Sequence, residues 1–256
     1  MRYFGLIGQK LGHSFSKKYF SEKFAREDID AQYELYEIPS IEDLAALWAS
    51  VPLRGMNVTI PYKQEVMGFL DEISPEAAAV GAVNTVLFEG GRKIGYNTDT
   101  YGFRESLRSF VGDAKLDQAL ILGNGGAAKA VRYVLEQQLA YRPCLTVSRS
   151  AAGPNQITYE ALRGLNLDAY PLIINTTPLG MYPYEDTAPA ITYEQLGKHH
   201  FIYDLIYNPA ETLFMHLAAA QGAKVCNGME MLILQAEGAW KIWQGKSQNK
   251  EQENHI

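Results

Sequence analysis

The chain has 256 residues, 47% of them hydrophobic, which is enough for one large domain or two modest domains with buried cores. Its 29 acidic and 23 basic residues give a net charge of −6 without long runs of either sign, so a nucleic-acid-binding surface is not expected. Cys144 and Cys226 stand in apolar runs without metal-ligand spacing and are expected to be buried free thiols. Since we see no signal peptide or membrane span, we expect a cytoplasmic protein without a metal site.

The first hundred residues predict a β-α-β-α-β unit followed by a hairpin. Pro61 is expected to end the third strand in a turn that displays Thr59 and Lys63. Ser74 and Pro75 predict the start of a short helix, as its cap and its first residue. The expected strands lie at 3–8, 33–38, 55–60, 83–88 and 93–96, and the expected helices begin near 17 and span 41–49.

A glycine-rich turn joins a strand to a helix in the second half. Residues 119–122 predict a buried strand, and an apolar pattern at helical spacing begins just after the turn. Gly123, Gly125 and Ala128 match the dinucleotide-binding fingerprint, in which small residues permit the tight turn, the approach of a pyrophosphate and close helix packing. The free N–H groups at the helix start would bind phosphate.

The next strand, expected at 144–147, ends in Ser148-Arg149-Ser150. A site for NAD would place a carboxylate near this strand end, whereas a site for NADP needs a cation and hydroxyl groups for the 2′-phosphate. The sequence has an arginine there and no acid. It therefore favours NADP as the cofactor.

Further strands are expected at 172–175, 201–204 and 224–226, and a long apolar helix begins near Gly228. This alternation of strands and helices predicts a parallel sheet covered on both faces. The polar tail at 245–256 is expected to fray. The fold class that follows is α/β with two domains, an α/β domain and a Rossmann-like doubly wound parallel sheet.

Eight segments in sequence order span nearly the whole chain and carry a recognisable pattern. They are His13-Ser14-Phe15-Ser16, Asn57-Val58-Thr59-Ile60-Pro61-Tyr62-Lys63, Gly81-Ala82-Val83-Asn84-Thr85, Gly95-Tyr96-Asn97-Thr98-Asp99, the glycine loop, Asn175-Thr176-Thr177-Pro178-Leu179-Gly180-Met181, Asp204-Leu205-Ile206-Tyr207-Asn208-Pro209 and the chain from Gly228 to Ala236. Together they resemble shikimate dehydrogenases, NADP-dependent enzymes that interconvert 3-dehydroshikimate and shikimate.

The resemblance implies site roles and domain limits. Lys63 and Asp99 would be catalytic, although Asp99 could also cap its helix. A substrate-binding domain at 1–98, completed by a C-terminal helix at 229–256, would precede an NADP-binding domain at 99–228. The residues implied for substrate binding are Ser14 and Ser16 at the carboxylate, and Thr59, Asn84, Asp99, Tyr207 and Gln235 at the ring hydroxyl groups and the carboxylate region. The residues implied for cofactor binding are Gly123, Asn124, Gly125, Gly126, Ala127, Ser148, Arg149, Ser150, Leu205 and Gly228.

Two positions depart from the family pattern. Lys17 stands where the family usually has proline, and Ser148-Arg149-Ser150 stands where it has Asn-Arg-Thr.

Ser14 and Ser16 are two apart in what reads as an extended loop, so both hydroxyl groups are expected to face one side. They come just ahead of a helix whose dipole favours an anion. Lys17 would add a positive charge beside them.

Three other functions stay open at this point. A quinate/shikimate dehydrogenase relative using NAD or NADP would be distinguished by an assay with quinate and NAD. A non-catalytic dinucleotide sensor would not need Lys63 or Asp99, and a methylenetetrahydrofolate dehydrogenase would give no reason for the serine pair. We expect small-molecule partners, no nucleic acid or membrane, and a monomer or homodimer.

Overall fold

The computed structural model describes residues 1–12, 14–151 and 153–245. His13, Ala152 and the polar tail from residue 246 lie outside this range. The chain divides into two compact units. The first contains Met1–Thr98 together with the chain from Ala236 onwards, and the second is Asp99–Gln235, so both boundaries fall inside helices.

The first unit is built on a mixed six-stranded sheet in the order β2-β1-β3-β5-β6-β4. Strands β1, β2 and β3 are parallel, whereas β5 runs antiparallel to both β3 and β6. The strands are β1 (Arg2–Gly8), β2 (Ala31–Glu37), β3 (Leu53–Val58), β4 (Glu72–Ile73), β5 (Thr85–Glu89) and β6 (Arg92–Tyr96), and the helices are α1 (Phe15–Arg26), α2 (Leu44–Ser50) and α3 (Pro75–Val80). As predicted, β5 and β6 form a hairpin and Ser74 caps α3.

Aromatic side chains of the C-terminal helix complete one core of this unit. Trp240 and Trp243 are buried among apolar residues of β1, β2 and α1. The Trp243 indole donates to the backbone oxygen of Val86 at 3.0 Å. A Cβ atom at Gly55 would lie within 2.4 Å of three atoms of the Trp243 ring. Glycine at position 55 therefore lets this helix pack directly on β3.

The second unit is built on a parallel six-stranded sheet in the order β12-β11-β10-β7-β8-β9. Its core strands are fully buried and nearly all apolar, as both faces are covered. The strands are β7 (Ala119–Leu122), β8 (Cys144–Ser148), β9 (Gln156–Thr158), β10 (Leu172–Asn175), β11 (Phe201–Asp204) and β12 (Lys224–Cys226). The helices are α4 (Thr98–Val111), which begins in the first unit, α5 (Gly126–Tyr133), α6 (Tyr159–Leu162), α7 (Leu213–Ala220) and α8 (Met229–Trp243), which ends in it.

The α/β fold class is confirmed; apart from the eight-residue α7, the strands and α-helices that were missed are short. The two-residue β4, the three-residue β9 and the four-residue α6 carry too few residues for a period to show. Two cores, one on each face, hold the parallel sheet. No helix within the described residues is both long enough and apolar enough to cross a membrane.

Candidate active site

The carboxyl ends of β1 and β3 meet in the first unit, because the two strands are parallel neighbours with Ile7 paired to Val58. The backbone N–H of Thr59 donates to the oxygen of Ile7 at 3.0 Å. Lys63, half-buried, lies in the turn that follows, and its carbonyl accepts from the N–H of Val83 at 2.7 Å. The turn is therefore fixed on both sides.

The prediction that Pro61 ends this strand was wrong, because β3 already ends at Val58. Residues 60–64 form a turn, with the N–H of Tyr62 bonded to the oxygen of Thr59 at 3.0 Å. The buried Tyr62 hydroxyl donates to the oxygen of Ile38 at 2.7 Å and anchors the turn. Hydrogen bonds within the turn set the end of the strand, and such bonds produce no periodic pattern in the sequence from which the end could be predicted.

The extended loop predicted for Ser14 and Ser16 was also wrong. Helix α1 begins at Phe15, two residues earlier than expected, so Ser16 lies in its first turn. Ser14 is the N-cap, and its hydroxyl accepts from the N–H of Lys17 at 3.4 Å. The Ser16 hydroxyl hydrogen-bonds the hydroxyl of Tyr33. Both serines are half-buried at the start of the helix that follows β1.

The sequence suggested that Lys17 adds a positive charge beside the serines. In the structure this charge is paired. The Lys17 ammonium lies 2.5 Å from a carboxylate oxygen of Glu34. This ion pair holds the pKa of Glu34 below its ordinary value, with a further contribution from Gln32. Tyr33 packs on the side of the sheet that carries α1, and Glu34 faces the opposite side. Since β2 is an edge strand, the Lys17 side chain must cross its outer edge to reach Glu34.

A buried polar network fixes the side chain of Asn84. Its Oδ1 accepts from the N–H of Thr98 at 2.7 Å, and from the hydroxyls of Thr85 and Thr98 at 3.0 and 3.2 Å. The network extends through Asn57, which donates to Thr85 and accepts from the Tyr33 hydroxyl at 2.8 Å. These bonds identify the Asn84 oxygen and fix the orientation of its amide group.

Three predicted site residues lie in the second unit. Asp99 is half-buried in the first turn of α4, and Tyr207 is exposed after β11. Gln235 is half-buried on α8 and donates to the backbone oxygen of Leu232 at 2.9 Å. A Cβ atom at Gly102 would lie 2.6 Å from the oxygen of Met231, so α4 and α8 approach closely at that glycine.

The glycine loop has the geometry that phosphate binding needs. Gly123 has φ of +108°, and a Cβ atom there would lie 2.5 Å from the hydroxyl of Thr176, so only glycine fits. Gly125 is the N-cap of α5 without a side-chain hydrogen bond, and the space around Gly125 and Gly126 is open. Ala128 is buried in the core below. The first turn of α5 therefore presents backbone N–H groups towards open space.

Ser148, Arg149 and Ser150 follow β8, which is the parallel neighbour of β7. The Ser148 hydroxyl donates to the oxygen of Ser150 at 2.7 Å, and the Arg149 side chain is exposed. Since both strands end at the same edge, this segment lies on the side of the sheet from which the glycine loop emerges. An arginine and two serines thus follow the strand next to β7, with the hydroxyl hydrogen of Ser148 donated to Ser150.

Sequence reasoning missed the role of Asp204, the last residue of β11. Its carboxyl is fully buried, and burial raises its pKa to about 6 despite three hydrogen bonds that lower it. Two of the donors are Asn175 at 3.0 Å and Thr212 at 2.7 Å. An acid that closes the otherwise apolar run 201–204 was the available signal.

Among the described residues, Asp168, His199 and His200 form one group of potential metal-ligand atoms. Both ring nitrogens of the buried His200 are already engaged, one with the N–H of Gly197 at 3.0 Å and the other with the oxygen of Leu167 at 3.1 Å. A ligand nitrogen needs a free lone pair. This histidine therefore has a structural role.

Comparison with known proteins gives a consistent result. A family model described as the shikimate dehydrogenase substrate binding domain matches residues 6–86. The NADP(+) shikimate dehydrogenase of Clostridium beijerinckii is 42% identical over 256 residues, covering 95% of this chain and 92% of that protein.

Two solved structures are informative about ligands. The shikimate 5-dehydrogenase of Thermus thermophilus, in complex with NADP(H) and shikimate, is 31% identical with a TM-score of 0.83, covering 96% of this chain and 94% of that one. The quinate dehydrogenase of Corynebacterium glutamicum, in complex with NAD, is 27% identical with a TM-score of 0.86, covering 95% and 94%.

Proposed function

Because this chain belongs to the shikimate dehydrogenase family, we propose that it catalyses the reversible NADPH-dependent reduction of 3-dehydroshikimate to shikimate in the biosynthesis of aromatic amino acids. The observation that carries this proposal is the 42% identity over 95% of the chain, which includes both structural units. The first unit would be the substrate-binding domain, as the family model within it suggests. The second would be the NADP-binding domain.

The residues present fit NADP. The open N-terminus of α5 and the left-handed Gly123 suit a pyrophosphate that approaches the backbone closely. Arg149, with Ser148 and Ser150, would bind the 2′-phosphate. Leu205 and Gly228 would line the nicotinamide site. NADP, when bound, supplies the hydride or accepts it.

The chain's own residues would supply the proton chemistry and hold the substrate. Oxidation of a secondary alcohol requires that the hydroxyl proton be removed as hydride leaves, and a lysine acting with a carboxylate can accept it. We assign this role to Lys63 with Asp99. Ser14 and Ser16 would bind the substrate carboxylate. Donors and acceptors for the ring hydroxyl groups would come from Thr59, Asn84, Asp99, Tyr207 and Gln235.

One spectrophotometric experiment tests the proposal. The purified protein is assayed for absorbance at the NADPH wavelength with shikimate or quinate, each combined with NADP or NAD. We expect shikimate with NADP to give a kcat/KM at least tenfold above the other three combinations. Inactivity with shikimate and both cofactors would refute the proposal.

The same assay decides the second candidate, a quinate/shikimate dehydrogenase. That alternative is favoured by the likeness to a quinate dehydrogenase in complex with NAD, and it predicts turnover of quinate with NAD.

We also propose a cytoplasmic location, supported by the free thiols of Cys144 and Cys226. A monomer or a homodimer is expected, and light scattering after size-exclusion chromatography measures which of them forms.

A further inference from the structure

Asp204 is a fully buried acid to which the proposed chemistry gives no role. Its Oδ1 accepts from the Asn175 side chain and from the backbone N–H of Ile206, both at 3.0 Å. Its Oδ2 accepts from the Thr212 hydroxyl at 2.7 Å. Burial of a carboxyl disfavours its charge, so its presence here calls for a reason. An ionised carboxylate only accepts hydrogen bonds, and it thereby suits three donors at once.

These three bonds join three segments at the carboxyl edge of the parallel sheet. Asn175 begins the loop after β10, and its Oδ1 also accepts from the N–H of Thr177 at 3.0 Å. Ile206 lies in the loop after β11. Thr212 is the N-cap of α7, where its hydroxyl accepts from the N–H of Met215 at 3.2 Å. One side chain therefore fixes two loops and a helix start.

The segment that Asp204 fixes most directly contains Leu205. The N–H of Leu205 donates to the backbone oxygen of Asn175 at 3.0 Å, so this residue is held on both sides. Its carbonyl faces Gly228, where a Cβ atom would lie 2.1 Å from the oxygen. The N–H of Gly228 in turn donates to the oxygen of Ile206 at 3.0 Å. A shift of the 205–206 backbone would therefore displace the start of α8 at Gly228.

We propose that Asp204 is a positioning residue for the nicotinamide end of the cofactor, acting through Leu205 and Gly228. This inference rests on the proposed function, because the roles of Leu205 and Gly228 come from the family resemblance. The adenosine end would be bound by other segments, the glycine loop and Arg149. The two ends of one cofactor should therefore respond differently to a change at Asp204.

The test compares binding of two ligands by isothermal titration calorimetry. NADP has both ends, whereas adenosine 2′,5′-bisphosphate has only the adenosine end with its 2′-phosphate. In D204N one acceptor becomes a donor that faces the Thr212 hydroxyl. We expect the Kd for NADP to rise roughly tenfold, because displaced backbone at 205–206 and 228 would no longer fit the nicotinamide end, with that for the bisphosphate within about twofold. D204A should weaken NADP further.

His200→Gln is the matched control, since His200 is equally buried and precedes the same strand at its other end. We expect it to lower the melting temperature and leave the ratio of the two dissociation constants unchanged. Equal weakening of both ligands by D204N, or the same ratio change in H200Q, would overturn the inference. If D204A does not fold, the ratio of the two dissociation constants in D204N decides whether the inference holds.

The wild-type protein separates this inference from the proposed function. A wild type that neither binds NADP nor oxidises shikimate contradicts the proposed function. An active wild type whose D204N variant keeps the wild-type ratio contradicts the inference alone.

Discussion

The Ser14 hydroxyl accepts a hydrogen bond from the backbone N–H of Lys17, at the position where the family usually has a proline. A proline has no N–H to donate, so the residue at position 17 gives Ser14 a capping role in this chain. A hydroxyl group has one hydrogen and two lone pairs. Ser14 can thus cap α1 and still donate to a substrate carboxylate.

The first prediction separates these two roles. Replacing either Ser14 or Ser16 by alanine should raise the KM for shikimate ten- to a hundredfold, because a hydrogen bond to a charged group contributes about 1.5–3 kcal/mol. The change in kcat should be much smaller, since the carboxylate is remote from the reacting carbon. Ser14→Ala should also lower the unfolding free energy by about 1 kcal/mol. Steady-state kinetics and urea unfolding measure the two effects.

Ser74→Ala is the matched control, because Ser74 caps α3 through the N–H of Ala77 at 3.2 Å and has no proposed contact with substrate. It should lower stability alone. If Ser14→Ala and Ser16→Ala behave like Ser74→Ala, neither serine binds the carboxylate.

The second prediction concerns Lys17, whose ammonium is paired with Glu34 across the edge of β2. Lys17→Ala keeps the backbone N–H that Ser14 needs, so the KM for shikimate should stay within about twofold of wild type. Stability should fall by no more than about 1 kcal/mol, as for a partly exposed ion pair. A tenfold rise in KM would show instead that the lysine acts on the carboxylate.

The third prediction concerns cofactor choice. Arg149→Ala should raise the KM for NADP roughly tenfold or more and leave that for NAD nearly unchanged, because a charge-assisted bond to the 2′-phosphate contributes about 1.5–3 kcal/mol. Arg142 is the matched control, as an exposed arginine before the same strand at its opposite end. Equal effects of Arg149→Ala on both cofactors would contradict the assignment.

The fourth prediction is that Lys63 and Asp99 act as one catalytic unit. Lys63→Ala should lower kcat by about 10²–10⁴, the usual contribution of a general acid–base group, with NADP binding intact. Adding Asp99→Asn should cost less than the product of the two single effects. Lys93→Ala, which removes an ion pair with Asp71 in the same unit as Lys63, should leave kcat unchanged. Near-normal turnover of Lys63→Ala would eliminate this role.

The sequence predicts an element best where consecutive apolar residues or a glycine turn mark it. The strands at 172–175, 201–204 and 224–226 were predicted at their observed limits, because each contains two or three consecutive apolar residues of the kind that a buried strand favours. The glycine loop was predicted from its fingerprint, and the structure gives the reason for the first glycine: the positive φ of Gly123 and the short distance from a Cβ atom there to Thr176 exclude other residues.

The errors arise where single hydrogen bonds or ion pairs decide, some of them local and some between distant segments. The start of α1 at Phe15 depends on the cap at Ser14, and the ion pair of Lys17 depends on Glu34, 17 residues away. The bonds of Asp204 join loops that only the folded sheet brings together. None of these leaves a periodic signal, so the residues that support a site are harder to predict than those that touch the ligand.

The last prediction follows from the pKa of Asp204, which burial raises from 3.8 to about 6. The folded state therefore binds this proton more tightly than the unfolded state. Between about pH 4 and pH 6 the unfolded carboxyl is ionised while the folded one is still protonated, so stability from this group is present below pH 4 and is lost as the pH rises to 6. The shift corresponds to about 3 kcal/mol.

The measurement is the free energy of unfolding of wild type minus that of Asp204→Asn, from urea titrations between pH 4 and pH 8. Burial lowers the pKa of His200, which gives a slope of opposite sign, but this residue is present in both proteins and cancels in the difference. We expect the difference to fall by about 2 kcal/mol between pH 4 and pH 6, the larger part of the full effect, and to stay level above pH 7. A difference that does not change with pH would show that the Asp204 carboxyl titrates alike in the folded and unfolded states, and that its three hydrogen bonds compensate its burial fully.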